Sequence, residues 1–198
     1  RSKDGGGTWE IVDEGLILDA ETRVLTLAVD PQHSRRLYAG TGGFGIGYLY
    51  VSTDRGRRWN PVPGYLDEDR TEDDNVLLHD NVLSLIVHPD QPSLLYATTW
   101  RRGRLMKSVV RGMSWEYLFV TDVGSVADVA FDYQARELFL RIEDGYLHRG
   151  DVQASSWERI PVPEEILHRD SHTMVTNDTG RLVLYSGEGI YSYDGQAW

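Results

Sequence analysis

The densest chemistry in the chain lies in Trp100-Arg101-Arg102-Gly103-Arg104, where three guanidinium groups and an indole stand within five residues. Guanidinium is a planar fork suited to carboxylates, so this stretch could hold an acidic peptide, an acidic sugar or a partner's acidic patch. The same composition serves a solvated loop in which arginine balances nearby acid and tryptophan covers a sheet edge. A second charged stretch, from Tyr65 to Asn75, carries six carboxylates, among them Asp67, Asp69, Asp73 and Asp74. Calcium takes oxygen ligands of this kind, but the ordered alternation and central glycine of an EF-hand loop are missing, so no metal is assigned. Solvation, or docking on a basic partner surface, fits it better.

The remaining reactive groups form no recognisable constellation. His33, His79, His88, His148, His168 and His172 show no H-E-x-x-H spacing, and His88 precedes a proline, as a turn residue would. Gly42-Gly43-Phe44-Gly45-Ile46-Gly47 is glycine-rich, yet no G-x-x-x-x-G-K-[ST] follows, so it reads as a flexible loop with an apolar tip. Glu143, Asp144, Glu188 and Asp194 could pair as carboxylates, at distances that a sequence does not give. No stretch offers a nucleophile with a base and an orienting partner, so no catalytic residue is assigned and no cofactor is expected.

Composition narrows the partners. The formal net charge is −11, which opposes binding to phosphate backbones, and nucleic acid is not expected. There is no cysteine, which excludes disulfides and thiolate chemistry. No apolar run approaches the roughly 20 residues that cross a bilayer as a helix, and residues 1–8 contain no apolar signal core.

The elements that must position these groups are repeats. Ser2, Asp4, Gly6 and Trp9 share the pattern S-x-D-x-G-x-x-W with Ser52, Asp54, Gly56 and Trp59. Ser108, Gly112 and Trp115 repeat it with Val110 in the aspartate place. A fourth copy ends at Trp157, with Gly150, Val152 and Ala154 in the key places, and a shorter fifth runs from Ser192 through Asp194 to Trp198. Between them, Val24 to Pro31 followed by Leu37-Tyr38-Ala39 parallels Val82 to Pro89 followed by Leu95-Tyr96-Ala97. Weaker counterparts occur at Val126 to Asp132 and Thr173 to Asn177. Such periods announce stacked supersecondary units.

Each unit reads as strand, turn, strand, loop, strand, box turn, strand. Pro61 and Pro161 fall in the last strand of their units, where a missing N–H is tolerated on an outer edge. The first strands are nearly continuous apolar runs, as in sheets covered on both faces. Four-stranded antiparallel sheets stacked around an axis satisfy both, so the expectation is an all-β propeller of four visible units. The units are placed at 10–59, 60–115, 116–157 and 158–198, with residues 1–9 ending a preceding blade. The aspartate accepts bonds from its own turn, glycine supplies positive φ and tryptophan covers the joint between sheets, which predicts that Trp9, Trp59, Trp115 and Trp157 are buried.

These boxes, with the intervening D-P-x-x-x-x-x-L-Y-A-G-T pattern, resemble the Asp-box (BNR) repeats of sialidase-like propellers. The same repeats occur in xyloglucan-degrading glycoside hydrolases, the sortilin luminal domain and photosystem II stability and assembly factors. The resemblance implies that the boxes lie away from the ligand face, so that ligands meet the loops between second and third strands and between successive blades. That would place Trp100, Arg101, Arg102 and Arg104 on a binding rim, with the Asp67–Asp74 loop beside them. Arg159-Ile160-Pro161 imitates the R-I-P sequence of sialidases but follows Trp157, where a last strand is due. The resemblance also implies an extracytoplasmic (periplasmic or secreted) location. The functional expectation is a non-enzymatic binding or scaffolding propeller with a protein partner, as a subunit or assembly factor. The alternative is a glycoside hydrolase or lectin-like carbohydrate binder. Four units are few for a closed ring, so the chain is a fragment, a small ring, or half of a ring completed by a second chain.

Overall fold

A computed structural model describes residues 1–44, 47–62, 80–100, 103–152, 156–166, 173–177, 181–186 and 189–198. The first sheet contains β1 (Thr22–Val29), β2 (Leu37–Gly43), β3 (Leu49–Ser52) and β4 (Asn60–Pro61). The second contains β5 (Val82–Val87), β6 (Leu95–Thr99), β7 (Arg104–Ser108) and β8 (Glu116–Val120). The third contains β9 (Val126–Asp132), β10 (Glu137–Ile142), β11 (Tyr146–Asp151) and β12 (Trp157–Pro161), and the fourth β13 (Thr173–Thr176), β14 (Leu182–Ser186) and β15 (Gly189–Tyr193). Each is an antiparallel meander with strands in sequence order. The only helical element among the described residues is the 3-10 turn Glu164–Ile166. The chain is a four-bladed β-propeller array.

Four devices repeated in sequence build it. Each first strand ends in a side-chain acceptor: Asp30 takes the N–H groups of Gln32 and His33, and Asp132 those of Gln134 and Ala135. His88 does the same through Nδ1 for Asp90 and Gln91, and Asn177 takes the Arg181 N–H. Burial lowers the His88 pKa, which favours the neutral ring that can accept. Next, the box turns are held by serine and aspartate together. Ser52 Oγ accepts from Gly56 N at 2.9 Å and donates to Asp54 Oδ1 at 2.8 Å, and that oxygen accepts from Arg57 N and Arg58 N. Where Val110 replaces aspartate, Ser108 still takes the N–H groups of Val110 and Gly112, so the serine half sustains the turn. The box glycines Gly56 and Gly112 sit at φ 75° and 88°, and the residues before them, Arg55 and Arg111, are also left-handed. Third, the box tip is tied to its own blade, by Arg55 N to Arg35 O and Arg111 N to Ser93 O.

The fourth device is the tryptophan, which packs into the joint with the blade before it. Trp115 lies in the cluster shared by the first and second blades, with Tyr38, Leu49, Val82 and Leu95. Trp157 packs half-buried against the cluster of the second and third, and Trp198 against that of the third and fourth. Trp59 is buried with Tyr50 under the segment around Leu16, and its Nε1 donates to Val12 O. Trp9 departs from the expectation: it is 76 % exposed, although its turn is formed. The joint it would fill has no preceding sheet among the described residues.

Two further expectations need correction. The fourth blade shows three strands among the described residues, with β15 at its outer edge. The first strand β1 is also not covered on both faces. Inner strands touch in succession, β1 with β5, β5 with β9 and β9 with β13, and among the described residues β13 makes no comparable contact with β1. The array is therefore open, and Val24, Leu27 and Val29 stay exposed. Pro61 and Pro161 do lie in edge strands, β4 and β12.

Candidate binding surface

The connections between second and third strands gather at the end of the blades opposite the box turns, as the antiparallel order requires. There the inner ends of the sheets enclose a cavity of about 980 Å³. All four blades contribute, including Leu25, Asn81, Trp100, Arg141, Glu143 and Tyr146.

Trp100 directly follows β6 and is 43 % exposed. Its N–H donates to Asn81 O and its carbonyl accepts from Gly103 N, so the indole is set on a pinned turn. Gly103 has φ 51°, and a Cβ there would stand 2.6 Å from Gly124 O, so glycine lets this turn press against the next blade's approach. Asn81 is buried and bridges two blades, its amide donating to Gly43 O at 2.8 Å while its Oδ1 has no hydrogen-bond partner among the described residues.

Opposite stand the charged groups. Arg141 on β10 is in register with Asp128 on β9, which puts the two side chains on one face. Burial pulls the Arg141 pKa down, while Asp128 and Glu143 act in the other direction. Asp128 is buried and clamps two blades, accepting from Val129 N at 2.8 Å and from Met174 N at 2.6 Å. Its burial raises its pKa. Glu143 accepts from Ser125 N, and Asp144 caps the Tyr146 N–H while contacting His148 at 2.9 Å. The cavity is thus lined by two aromatic side chains, Trp100 and Tyr146, by apolar ones such as Leu25 and Leu184, and by the opposite charges of Arg141 and Glu143.

Of the residues singled out by sequence, Trp100 lines this cavity. Arg104 is engaged elsewhere: its guanidinium donates to Tyr117 Oη at 2.8 Å and lies 4.4 Å from that ring's centre. Arg101, Arg102, Asp67, Asp69, Asp73 and Asp74 lie outside the described residues. Arg141 and Asn81 were not anticipated, because neither belongs to a motif and only the strand register turns Arg141 toward the axis. Among the described residues, no group of three or more His, Asp or Glu could hold a metal.

No protein-family profile matches the chain, and no curated protein matches it in sequence. Solved structures do match. A chain of the nidogen/laminin complex is 14 % identical with a TM-score of 0.63, over 85 % of this chain and 58 % of that one. The GH74 xyloglucanase from Xanthomonas campestris is 18 % identical with a TM-score of 0.61, over 86 % and 29 %. YCF48 bound to D1 peptide is 18 % identical with a TM-score of 0.58, over 96 % and 56 %. At these identities the likeness concerns the fold. The chain spans between about a third and three fifths of each of these proteins.

Proposed function

We propose that the chain is a protein-binding propeller of the Asp-box kind, which captures a peptide segment of its partner in the cavity beside Trp100. The observation that carries this reading is that cavity, which sits at the end opposite the box turns and is lined by Trp100 and Tyr146 together with Arg141 and Glu143. The faces between neighbouring blades are consumed by packing, which leaves the rim loops free, and an aromatic group beside arginine is the composition that most often supplies hot spots. Two structural neighbours point the same way, since the nidogen/laminin chain and YCF48 are seen with protein or peptide partners. Arg101 and Arg102 join this rim in the proposal by their place in the sequence next to Trp100.

The test is recovery of partners from a source extract by wild-type protein and by Trp100→Ala. The indole is half in solvent, so the variant should keep its melting temperature while partner recovery falls. Equal recovery overturns the reading. A carbohydrate role has one observation in its favour, two aromatic residues lining the cavity in a fold shared with a xyloglucanase. Turnover of aryl glycosides or xyloglucan oligosaccharides would establish it.

A further inference from the structure

The end of the blades that carries the box turns holds a separate concentration of charge. Among the described residues, every non-glycine residue with a positive φ is an arginine: Arg55 at 67°, Arg111 at 59° and Arg136 at 57°. That region favours glycine and, among other residues, mainly asparagine and aspartate, so a long basic side chain is held there at a conformational cost. It occurs at the box tips of the first two blades and in the β9–β10 turn of the third. Unfavourable backbone of this kind collects at binding and switch sites.

The turns bring these arginines into one line. Arg55 N donates to Arg35 O, and the Gln32 amide in the β1–β2 turn donates to Pro89 O and Asp90 O at 3.1 Å each, which ties that turn to the β5–β6 turn. Burial raises the Tyr38 pKa against Arg36, which donates a hydrogen bond to its hydroxyl, and against the positive charge of Arg111. Arg36 of the first blade and Arg111 of the second therefore act on one hydroxyl. Arg136 of the third blade adds to the effect of burial in lowering the His88 pKa, with Asp90 opposing, so it lies beside the second blade's turn. Arg35, Arg55, Arg111 and Arg136 are exposed and Arg36 is partly so. Other cations are paired, Arg1 with Glu10, Arg58 with Glu14 and Arg149 with Glu158. Among the described residues, no carboxylate forms such an ion pair with Arg35, Arg36, Arg55, Arg111 or Arg136. Apolar surface is interspersed, since Val110 and Met113 flank Arg111 and Tyr133 shares the turn of Arg136, all of them exposed.

We propose that this arginine line is a second interaction surface, which takes an acidic segment of a partner protein across the box ends of the first three blades. It lies at the other end of the blades from the cavity beside Trp100 and does not depend on that site. Guanidinium forks match carboxylates in pairs of hydrogen bonds, and their spread over three blades suits an extended chain that carries several acidic side chains. The exposed apolar and aromatic groups between them suit protein side chains. The formal net charge of −11 repels nucleic acid or an anionic bilayer, whose charge extends far beyond the line, whereas a short acidic segment meets mainly the local positive field.

The experiment is fluorescence anisotropy of a labelled deca-glutamate peptide titrated with the protein, beside a deca-glutamine peptide, at low and at moderate salt. Wild type should bind the acidic peptide, more weakly as salt rises, and should leave the glutamine peptide free. Arg55→Gly with Arg111→Gly and Arg136→Gly should lower the affinity by about tenfold or more while melting no lower than wild type, because glycine accepts the left-handed backbone. Arg35→Glu with Arg111→Glu should reduce binding further by reversing the local field. Arg23→Glu with Arg159→Glu makes the same change of net charge away from the line and should stay within about twofold of wild type. No binding of deca-glutamate, equal binding of the two peptides, an unchanged affinity in the glycine variant, or an equal loss in the Arg23 and Arg159 variant would each overturn the proposal. So would tighter binding to a DNA duplex or to phosphatidylserine vesicles than to deca-glutamate, which would give the arginines a different class of guest.

Discussion

The turns Ser2–Trp9 and Ser52–Trp59 follow one recipe and meet different fates. In both, the serine hydroxyl accepts from the glycine N–H and donates to the aspartate, at 2.8 Å in each case, and the aspartate takes backbone N–H groups farther on. Yet Trp59 is 5 % exposed and Trp9 76 %. The turn is therefore a local structure that eight residues specify by themselves, whereas the burial of its tryptophan depends on a neighbouring sheet. The first turn is a nearly free specimen of a device whose stabilising effect appears only in the second.

The largest expected effect that sharpens this contrast is at Trp59. Replacing it with alanine should cost about 3 to 5 kcal/mol in denaturant unfolding, the range for removing a buried large aromatic. Next comes Gly56→Ala, where φ is 75° and a new Cβ would meet the Trp59 ring at 3.4 Å. Holding alanine in that conformation should cost about 1 to 3 kcal/mol. The matching Gly6→Ala should instead speed local hydrogen exchange in the first turn with little change in global stability. A global loss at Gly6 as large as at Gly56 would break the comparison.

Acid provides a smaller effect with a defined sign. Hydrogen bonds from Arg58 N–H and Ser52 hold the Asp54 carboxyl below its ordinary value, and those from Thr8 bring Asp4 to about 2. A carboxylate with a lowered folded pKa stabilises fully above its unfolded value and loses that contribution as pH falls through the folded one. Wild type should therefore lose stability on acidification below the ordinary aspartate range, and Asp54→Asn should show a flatter profile. Asp4 should titrate near 2 by NMR without a matching change in global unfolding. The smallest expected effect is Trp9→Ala, within about 0.5 kcal/mol of wild type, as for other exposed substitutions. A cost there like that of Trp59→Ala would mean that the indole is covered in solution.

Much of the architecture was legible because the repeat is written twice, in spacing and in turn chemistry. Trp59 and Trp115 mark their turns, Asp30 and His88 close the first strands, and Pro61 and Pro161 name the edges. The third box was legible as a turn despite its missing aspartate, since Ser108 and Gly112 carry the part of the bonding that glycine φ requires. The candidate surface was less legible. Trp100 stood out by composition, but Arg104 belongs to Tyr117 through a cross-strand pairing of β7 with β8 that no local pattern announces.

The sequence by itself determined the strands, the turns between them and the places where tryptophan would seek a joint, because these depend on repeated apolar runs and on bonds within a few residues. The tertiary structure alone decided which tryptophans found a neighbour, that β1 keeps a bare apolar face among the described residues, and that Arg141, Glu143 and Trp100 meet at one cavity. Those outcomes depend on how one sheet stacks on the next, an interaction between residues far apart in the chain that local spacing does not encode.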